Sequence, residues 1–383
     1  MLRLIFAAGS LPHGGAERHA VSVMNRLAER GHECHAVSIK SRTGPLDSLR
    51  PGPRGSVTCL DAARYLDLRA VRDYAALIRR VGPAVIVAAN PYALMYSSLA
   101  AYCSGASPRI AATFHSTLLQ GAKERVQMLY YRPFFWAADF LVFVSERQQR
   151  HWVKRGLFAR RSGVIHNGVD IREFRDRWSA AERARFRKNL GFSLNDFVIG
   201  LAAWLRPEKN HVQLVDAIAL LRGRGIPARA LMIGDGEMRG AVEARARELG
   251  IGGQITITGF QGDVRPYVGI CDAMTLCSVT ETFSLAAIEA MAMRKPFVHS
   301  DVGGAREMIV PGENGFLFPV GDTRAYADRL AALADPAVAR KMGGAARALV
   351  ERRFSEEVMV DRYERLLLDL CGAVPRAVPM LTH

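Results

Sequence analysis

At 383 residues the chain is too long for one ordinary core, and two domains of roughly 150–200 residues are expected. Its 49% hydrophobic and 23% charged residues are the composition of a globular protein, which excludes a disordered or fibrous chain. The net charge of +15 is uneven: residues 1–170 carry 23 Lys/Arg against 11 Asp/Glu, or +12, and residues 171–383 carry 29 against 26, or +3. Such a basic first half fits an acidic partner (an anionic membrane surface, a phosphorylated lipid, nucleic acid) or a merely solvated surface.

The first apolar run, 2–8, is short, and Gly9-Ser10 with a helical pattern behind it reads as a buried strand, not a signal segment. Further strands are expected at 33–39, 57–60, 84–89, 110–114, 140–144 and 163–165. Helical patterns lie between them at 16–30, 67–81, 92–104, 119–137 and 146–155. The stretch 81–108 carries no charge, but Asn90-Pro91 halts any helix begun at Ala84, so a strand followed by a core helix is expected there and not a membrane span. Residues 171–195 read as a connector with a short helix. A second series follows, with strands at 197–203, 228–233, 254–258, 273–277 and 296–300 and helices at 211–222, 238–249, 284–293 and 323–334. The last helical stretch, 356–371, is free to return to the first domain. This alternation marks parallel α/β sheets: two successive doubly wound, Rossmann-like domains meeting near 167–170, with ligands at the carboxyl ends of strands and a cleft between the domains as the expected site.

Strand-end turns carry the candidate chemistry. Gly14 and Gly15, in Gly9-Ser-Leu-Pro-His13-Gly-Gly-Ala, let backbone approach a phosphate or sugar beside a helix start, or simply make a tight turn; the spacing is not G-x-G-x-x-G, so dinucleotide binding is disfavoured. His115 ends a strand, where it would orient a hydroxyl or pack as a core histidine. Arg206 and Lys209, in Arg206-Pro-Glu-Lys-Asn-His, put two cations at a strand end above a helix start, a placement suited to a diphosphate. Gly234-Asp-Gly236 and Gly259-Phe260-Gln-Gly262 are two more strand-end glycine turns, the second with backbone able to read a base edge. Glu281 sits in a polar turn, and Glu289 falls inside the run of strong helix formers 285–293. Eight residues are a little over two helical turns, so both acids are able to face one site, with the helix start between them as an anion site. Hydroxyl acceptors and phosphate donors in one stretch suit a nucleotide-sugar.

Other features point away from metal and bridges. Cys34, Cys59, Cys103, Cys271, Cys277 and Cys371 are scattered without C-x-x-C, so reduced residues in a cytoplasmic chain are expected. His32-Glu-Cys-His35 fits a strand entry better than a metal cluster, and no D-x-D pair is present to hold a nucleotide-bound cation. The stretch 123–161 interleaves basic residues with Tyr130, Tyr131, Phe134, Phe135, Trp136 and Trp152, which reads as core aromatics with solvated arginines or as a membrane interface.

In this order the pieces resemble a retaining glycosyltransferase of the two-domain GT-B architecture, family four. The resemblance runs from Gly14-Gly15 through Ile165-His-Asn-Gly-Val-Asp170, Arg206–Asn210, Gly234-Asp-Gly, Gly259-Phe and the Glu281–Glu289 pair to Asp301-Val-Gly-Gly304 and Gly312-Glu-Asn-Gly-Phe-Leu317. It implies an N-terminal acceptor domain (1–168, with a helix of about 356–383 returning to it) and a donor domain (169–355). It implies metal-independent hexosyl transfer from a UDP- or GDP-type sugar, a substrate and not a cofactor, to a glycan or lipid-linked acceptor. Lipopolysaccharide or another bacterial surface polysaccharide would be the destination, made in the cytoplasm or at the inner face of its membrane. Lys209 and a nearby Arg would bind the diphosphate, supported by backbone from Phe283 through Ser284 to Leu285 and by Gly15. Glu281 would contact the sugar hydroxyls, Glu289 the ribose, and His115 would sit beside the transferred sugar. The family mechanism is front-face: a donor phosphate oxygen takes the acceptor proton, with no covalent enzyme intermediate. Two positions depart from the pattern. Trp204, in Ala203-Trp-Leu205, stands where many members have Arg, which leaves Arg206 as the substitute, and His166 replaces a common Pro. A nucleotide-sugar epimerase, a phosphorylase or a non-catalytic nucleotide-sugar binder on the same architecture remain alternatives; nucleic-acid binding lacks any motif.

Overall fold

The computed structural model describes residues 1–9, 15–40, 49–116 and 121–372. The chain divides into two compact units, 1–167 with 356–383, and 168–355.

The first unit has strands β1 (Arg3–Ala8), β2 (Glu33–Ser38), β3 (Ser56–Cys59), β4 (Val85–Ala88), β5 (Arg109–Phe114), β6 (Phe140–Phe143) and β7 (Ser162–Val164) in the parallel order β3-β2-β1-β4-β5-β6-β7. Helices α1 (Gly15–Glu29), α2 (Leu68–Val81), α3 (Pro91–Ser104), α4 (Ala122–Ala137) and α5 (Glu146–Val153) connect them. Alternation along β1 sends Ile5 and Ala7 into one core layer and Leu4 and Phe6 into the other, which is why the strand reads as a continuous apolar run. The charge-free stretch holds β4 and then α3, the helix capped by the Asn90 side chain accepting from Ala93 N (2.9 Å) and started by Pro91. It buries Leu94, Met95 and Tyr96 completely. Among the described residues no helix is long and apolar enough to cross a membrane.

The C-terminal helix α14 (Glu356–Leu370) belongs to this unit, burying Met359, Val360, Tyr363, Leu366 and Leu367 in the layer that holds Leu4 and Phe6. Glu356 accepts from Ser22 and Arg26 of α1, and Glu364 pairs with Arg30 and His32. His32 also accepts from Leu2 N (3.1 Å) and His35 bonds Ser56 (2.8 Å), so both histidines have structural partners. Residues 373–383 of the expected helix, and 119–120 of the one expected to precede Ala137, lie outside the described residues.

The second unit repeats the plan. Its strands β8 (Phe197–Ala202), β9 (Ala228–Ile233), β10 (Ile255–Ile257), β11 (Ala273–Leu276), β12 (Phe297–Ser300) and β13 (Gly315–Phe318) run in the parallel order β10-β9-β8-β11-β12-β13. Helices α6 (Ala180–Asn189), α7 (His211–Gly223), α8 (Arg239–Glu248), α9 (Arg265–Ile270), α10 (Leu285–Ala292), α11 (Ala305–Met308), α12 (Thr323–Ala331) and α13 (Pro336–Arg353) flank it. Four of these elements are absent from the sequence reading: β13, α9, α11 and the 18-residue α13. Gly343-Gly344 interrupts α13 like a turn signal, but Gly343 is there for contact: a Cβ at that position would sit 2.0 Å from the Arg294 carbonyl oxygen. Gly315 opens β13 for the same reason, since its Cβ would meet Phe297 O at 2.1 Å.

Candidate functional site

In the second unit β8 and β11 are neighbours although two strands and three α-helices separate them in sequence, and this is the point where the strand order reverses. The loops that leave such a pair diverge at the carboxyl edge, where doubly wound sheets bind ligands. The β8 loop passes through a 3-10 turn, Pro207–Lys209, and then Asn210 at φ +50°, a left-handed conformation that asparagine tolerates. The β11 loop is tied to it by Val279 N donating to Glu208 O (2.9 Å). This brings together two groups 72 residues apart: Lys209 Nζ donates to Glu281 Oε1, which also accepts from Ser278 Oγ (3.0 Å).

Glu281 is held from a third side. Gly304 N donates to Thr282 O (2.8 Å), and Gly303, at φ +52°, lies so close that a Cβ would be 2.2 Å from Glu281 O. Two residues beyond, Ser284 caps α10 by accepting from Ala287 N (3.2 Å), and Phe283 is buried edge-on against Phe354. The first turn of α10, beginning at Leu285, contains no acid, so its backbone N–H groups and dipole favour an anion. Glu289 lies half-buried on the same helix. His211 and His299 lie under this edge. Burial, with the Lys209 charge second, pushes His211 down to about 4, and burial lowers His299, so both are neutral at pH 7. The cations are therefore Lys209 and Arg206. Arg206 is exposed and makes no ion pair among the described residues.

The neighbouring turns are in backbone contact. Gly234 (φ +148°) bridges Gly259 (φ +74°), and a Cβ on Gly234 would lie 2.1 Å from Ala203 O. Phe260 is exposed beside them, stacked on Trp204. Arg206, Lys209, Gly234, Gly259, Phe260, Glu281, Phe283, Ser284, Leu285 and Glu289 thus share one edge of one sheet or the helix behind it. Trp204 is the residue there that sequence reading assigned no role; its only signal was a departure from a pattern.

The other candidates stand on the first unit. Gly15 opens α1, and Gly14 lies outside the described residues. His115 follows β5, in a segment pinned to α5 by Gln148 donating to Phe114 O (2.8 Å) and Ser116 O (3.1 Å) and by Trp152 donating to Ser116 O (2.9 Å). Its ring lies edge-on to His19 at 5.1 Å, and His19 Nε2 bonds the Tyr363 hydroxyl of α14 (2.9 Å). Burial pushes His115 down to about 4, and burial with His115 lowers His19, so both rings are neutral at pH 7. His115 Nε2 is enclosed and has no hydrogen-bond partner among the described residues. Within the aromatic stretch, Tyr131, Phe135 and Trp152 are core, whereas Tyr130 and Trp136 are exposed. Among the described residues no His, Cys, Asp and Glu cluster could hold a metal ion.

Residues 13–173 match the family described as Glycosyltransferase Family 4, and residues 182–349 match Glycosyl transferases group 1. The chain is 31% identical over 253 residues to the Bacillus subtilis protein named glycosyltransferase EpsD, a match spanning 64% of this chain and 66% of that relative, just under two thirds of its length. It is 25% identical over 370 residues to the lipopolysaccharide core biosynthesis glycosyltransferase LpsE of Rhizobium meliloti, 92% of this chain and 96% of that one. The crystal structure of HepE from Anabaena in complex with UDP-glucose superposes with a TM-score of 0.82 at 22% identity, covering 96% of this chain and 100% of that one, a likeness of fold.

Proposed function

The chain belongs to the group 1, family 4 glycosyltransferases with the GT-B fold, and we propose that it moves a sugar from a nucleotide-diphosphate donor to a glycan or lipid-linked acceptor with retention of configuration. The observation that carries this reading is the Lys209–Glu281 pair at the β8/β11 reversal, beside the start of α10. In the free protein the two charges satisfy each other. A diphosphate would take Lys209, with Arg206 and the first N–H groups of α10, and would free Glu281 to accept from sugar hydroxyls. As the bond from the anomeric carbon to the diphosphate breaks, its electron pair goes to the leaving phosphate, where the cations and the helix start stabilise it. The acceptor oxygen then bonds the anomeric carbon on the same face, and its proton passes to a phosphate oxygen. His115, neutral and with a ring nitrogen that has no partner among the described residues, is our candidate to hydrogen-bond the transferred sugar.

The acceptor side rests on relatives and on one surface. LpsE is named for lipopolysaccharide core synthesis, and we assign this chain to the same broad class of surface-glycan assembly. The outer face of α4 presents Val126, Leu129, Tyr130 and Trp136, all exposed, with exposed Val153 and Phe158 beside them. Trp136 stacks on Phe158 (5.9 Å) and donates to Gly156 O. Arg132, Lys154 and Arg155, on or beside this face, make no ion pair among the described residues. An apolar helix face with a basic rim suits peripheral docking on an anionic bilayer, where lipid-linked acceptors lie.

Turnover of UDP- and GDP-sugars by Lys209→Ala and Glu281→Ala variants tests the reading. Loss of transfer in both supports it; unchanged turnover in both removes the site. Epimer formation from donor alone would favour an epimerase instead.

A further inference from the structure

We propose that Trp204 and Phe260 form an aromatic surface on which the heterocyclic base of the donor stacks. This rests on the reading above, that a nucleotide-diphosphate sugar lies along the carboxyl edge of the second sheet.

Trp204 is 50% and Phe260 69% exposed, although their rings stack at 5.8 Å and 26°. Two large aromatic side chains left this open contribute little to a core, and their flat faces are available to a third ring. Their position is set by backbone and not by side-chain packing. Leu205 N donates to Asp235 O (3.0 Å) and Met238 N to Leu205 O (2.9 Å). Gly234 bridges Gly259 on the far side. Any side chain at Gly236 would drive its Cβ to 2.5 Å from Leu205 O, so the β8 and β9 turns touch main chain to main chain around Trp204. The glycines of both turns therefore hold the indole in register with Phe260.

Order along the sheet edge supplies the ligand class. Phe260 follows β10, Trp204 and Lys209 follow β8, and Glu281 follows β11. The strand before Phe260 thus lies about three strand spacings, ~14 Å, from the strand before Glu281, with the β8 loop that carries Trp204 and Lys209 between them. A molecule with a flat ring at one end, a diphosphate in the middle and a hydroxylated ring at the other matches that sequence of groups. The indole carries no charge, and it leans on Phe260 at the aromatic end. Diphosphate neutralisation then falls to Lys209 and Arg206, while Trp204 contributes stacking. Because every base has a π face, stacking here strengthens nucleotide binding without choosing the base.

The test is calorimetric titration of the full chain with UDP, GDP and inorganic pyrophosphate, comparing wild type, Trp204→Ala, Trp204→Phe and Phe260→Ala. Stacking on one residue is worth roughly a tenfold to hundredfold change in affinity. Trp204→Ala is expected to weaken UDP and GDP about tenfold or more with pyrophosphate affinity unchanged, Trp204→Phe to restore most of it, and Phe260→Ala to give a smaller loss of the same kind. Indole emission should fall on saturation with UDP in wild type, and that fall should vanish in Trp204→Phe. Unaltered UDP affinity in Trp204→Ala overturns the proposal, as does an equal loss for UDP and pyrophosphate. Binding of no nucleotide by wild type would overturn the donor reading as well, which separates the two failures. Both side chains are exposed, so the circular dichroism and Tm of the variants should match wild type.

Discussion

The two sheets share a strand order around their reversal points, yet they equip their carboxyl edges differently. The second unit presents a compensated ion pair beside the exposed Arg206: Lys209 on Glu281, Glu281 on Ser278, and main chain packed against main chain through Gly234, Gly236 and Gly303. The first unit presents neutrality: two imidazoles in edge contact, His19 tied to Tyr363, and a His115 nitrogen with no partner among the described residues. A compensated ion pair is a receptor for a stronger anion, which exchanges one partner for another. A neutral imidazole with a nitrogen unpartnered among the described residues can hydrogen-bond a hydroxyl.

Separating nucleotide binding from turnover sharpens this contrast most. Lys209→Ala should lower kcat/KM by roughly a hundredfold to a thousandfold and weaken UDP or GDP binding in parallel, since it removes a charge that meets the leaving group. His115→Ala should lower kcat about tenfold or more while nucleotide affinity stays within about twofold. Equal loss of nucleotide affinity in both variants would break the division of labour.

Gly303→Ala addresses the main-chain support. At φ +52°, with Glu281 O in the path of a new Cβ, the loop must shift, and a fall in kcat/KM of about tenfold to a hundredfold is expected with a destabilisation of roughly 1–3 kcal/mol. Wild-type kinetics would show that the Glu281 turn tolerates displacement. Arg206→Ala should act more mildly, raising the donor KM several-fold, because the side chain is exposed and shares its task with Lys209. Near-normal kinetics would leave Lys209 as the only cation at the diphosphate.

Acid should unfold both units through the same groups. His115 and His211 sit at about 4 against an ordinary 6.5, and burial depresses His19 and His299 as well. Between those values the unfolded chain takes up protons that the folded chain refuses, so stability falls as pH drops from about 6.5 toward 4 and is retained above it. Each such imidazole contributes about 1.4 kcal/mol per pH unit inside the window. The Tm should therefore drop by about 5 °C or more between pH 7 and pH 5; a flat profile would mean that these rings are hydrated.

Much of this architecture is legible in the residues because buried parallel strands advertise themselves as short apolar runs. Leu4 to Ala8 and Val85 to Ala88 could be little else. Helix α13 is not legible, because Gly343 looks like punctuation until its contact with the Arg294 carbonyl is seen. Strand-end turns identify Lys209 and Glu281 as candidates, but their meeting requires β8 beside β11, a fact of sheet order that no local pattern encodes. The Trp204–Phe260 stack is hidden for the same reason: their turns, 56 residues apart, meet only through the β9 turn, by Leu205 N on Asp235 O and the Gly234–Gly259 bridge. His32-Glu-Cys-His35 shows the converse, a cluster in sequence whose histidines do not bond each other: His32 bonds Leu2 and Glu364, and His35 bonds Ser56 and Glu33.

A crystal structure with an intact, non-transferable nucleotide-sugar tests the central exchange directly. Lys209 Nζ is expected to have moved from Glu281 to a diphosphate oxygen, with the freed Glu281 carboxylate accepting from sugar hydroxyls and the phosphates at the start of α10. A bound donor that leaves the Lys209–Glu281 pair unbroken, or that lies away from the β8/β11 loops, would contradict it.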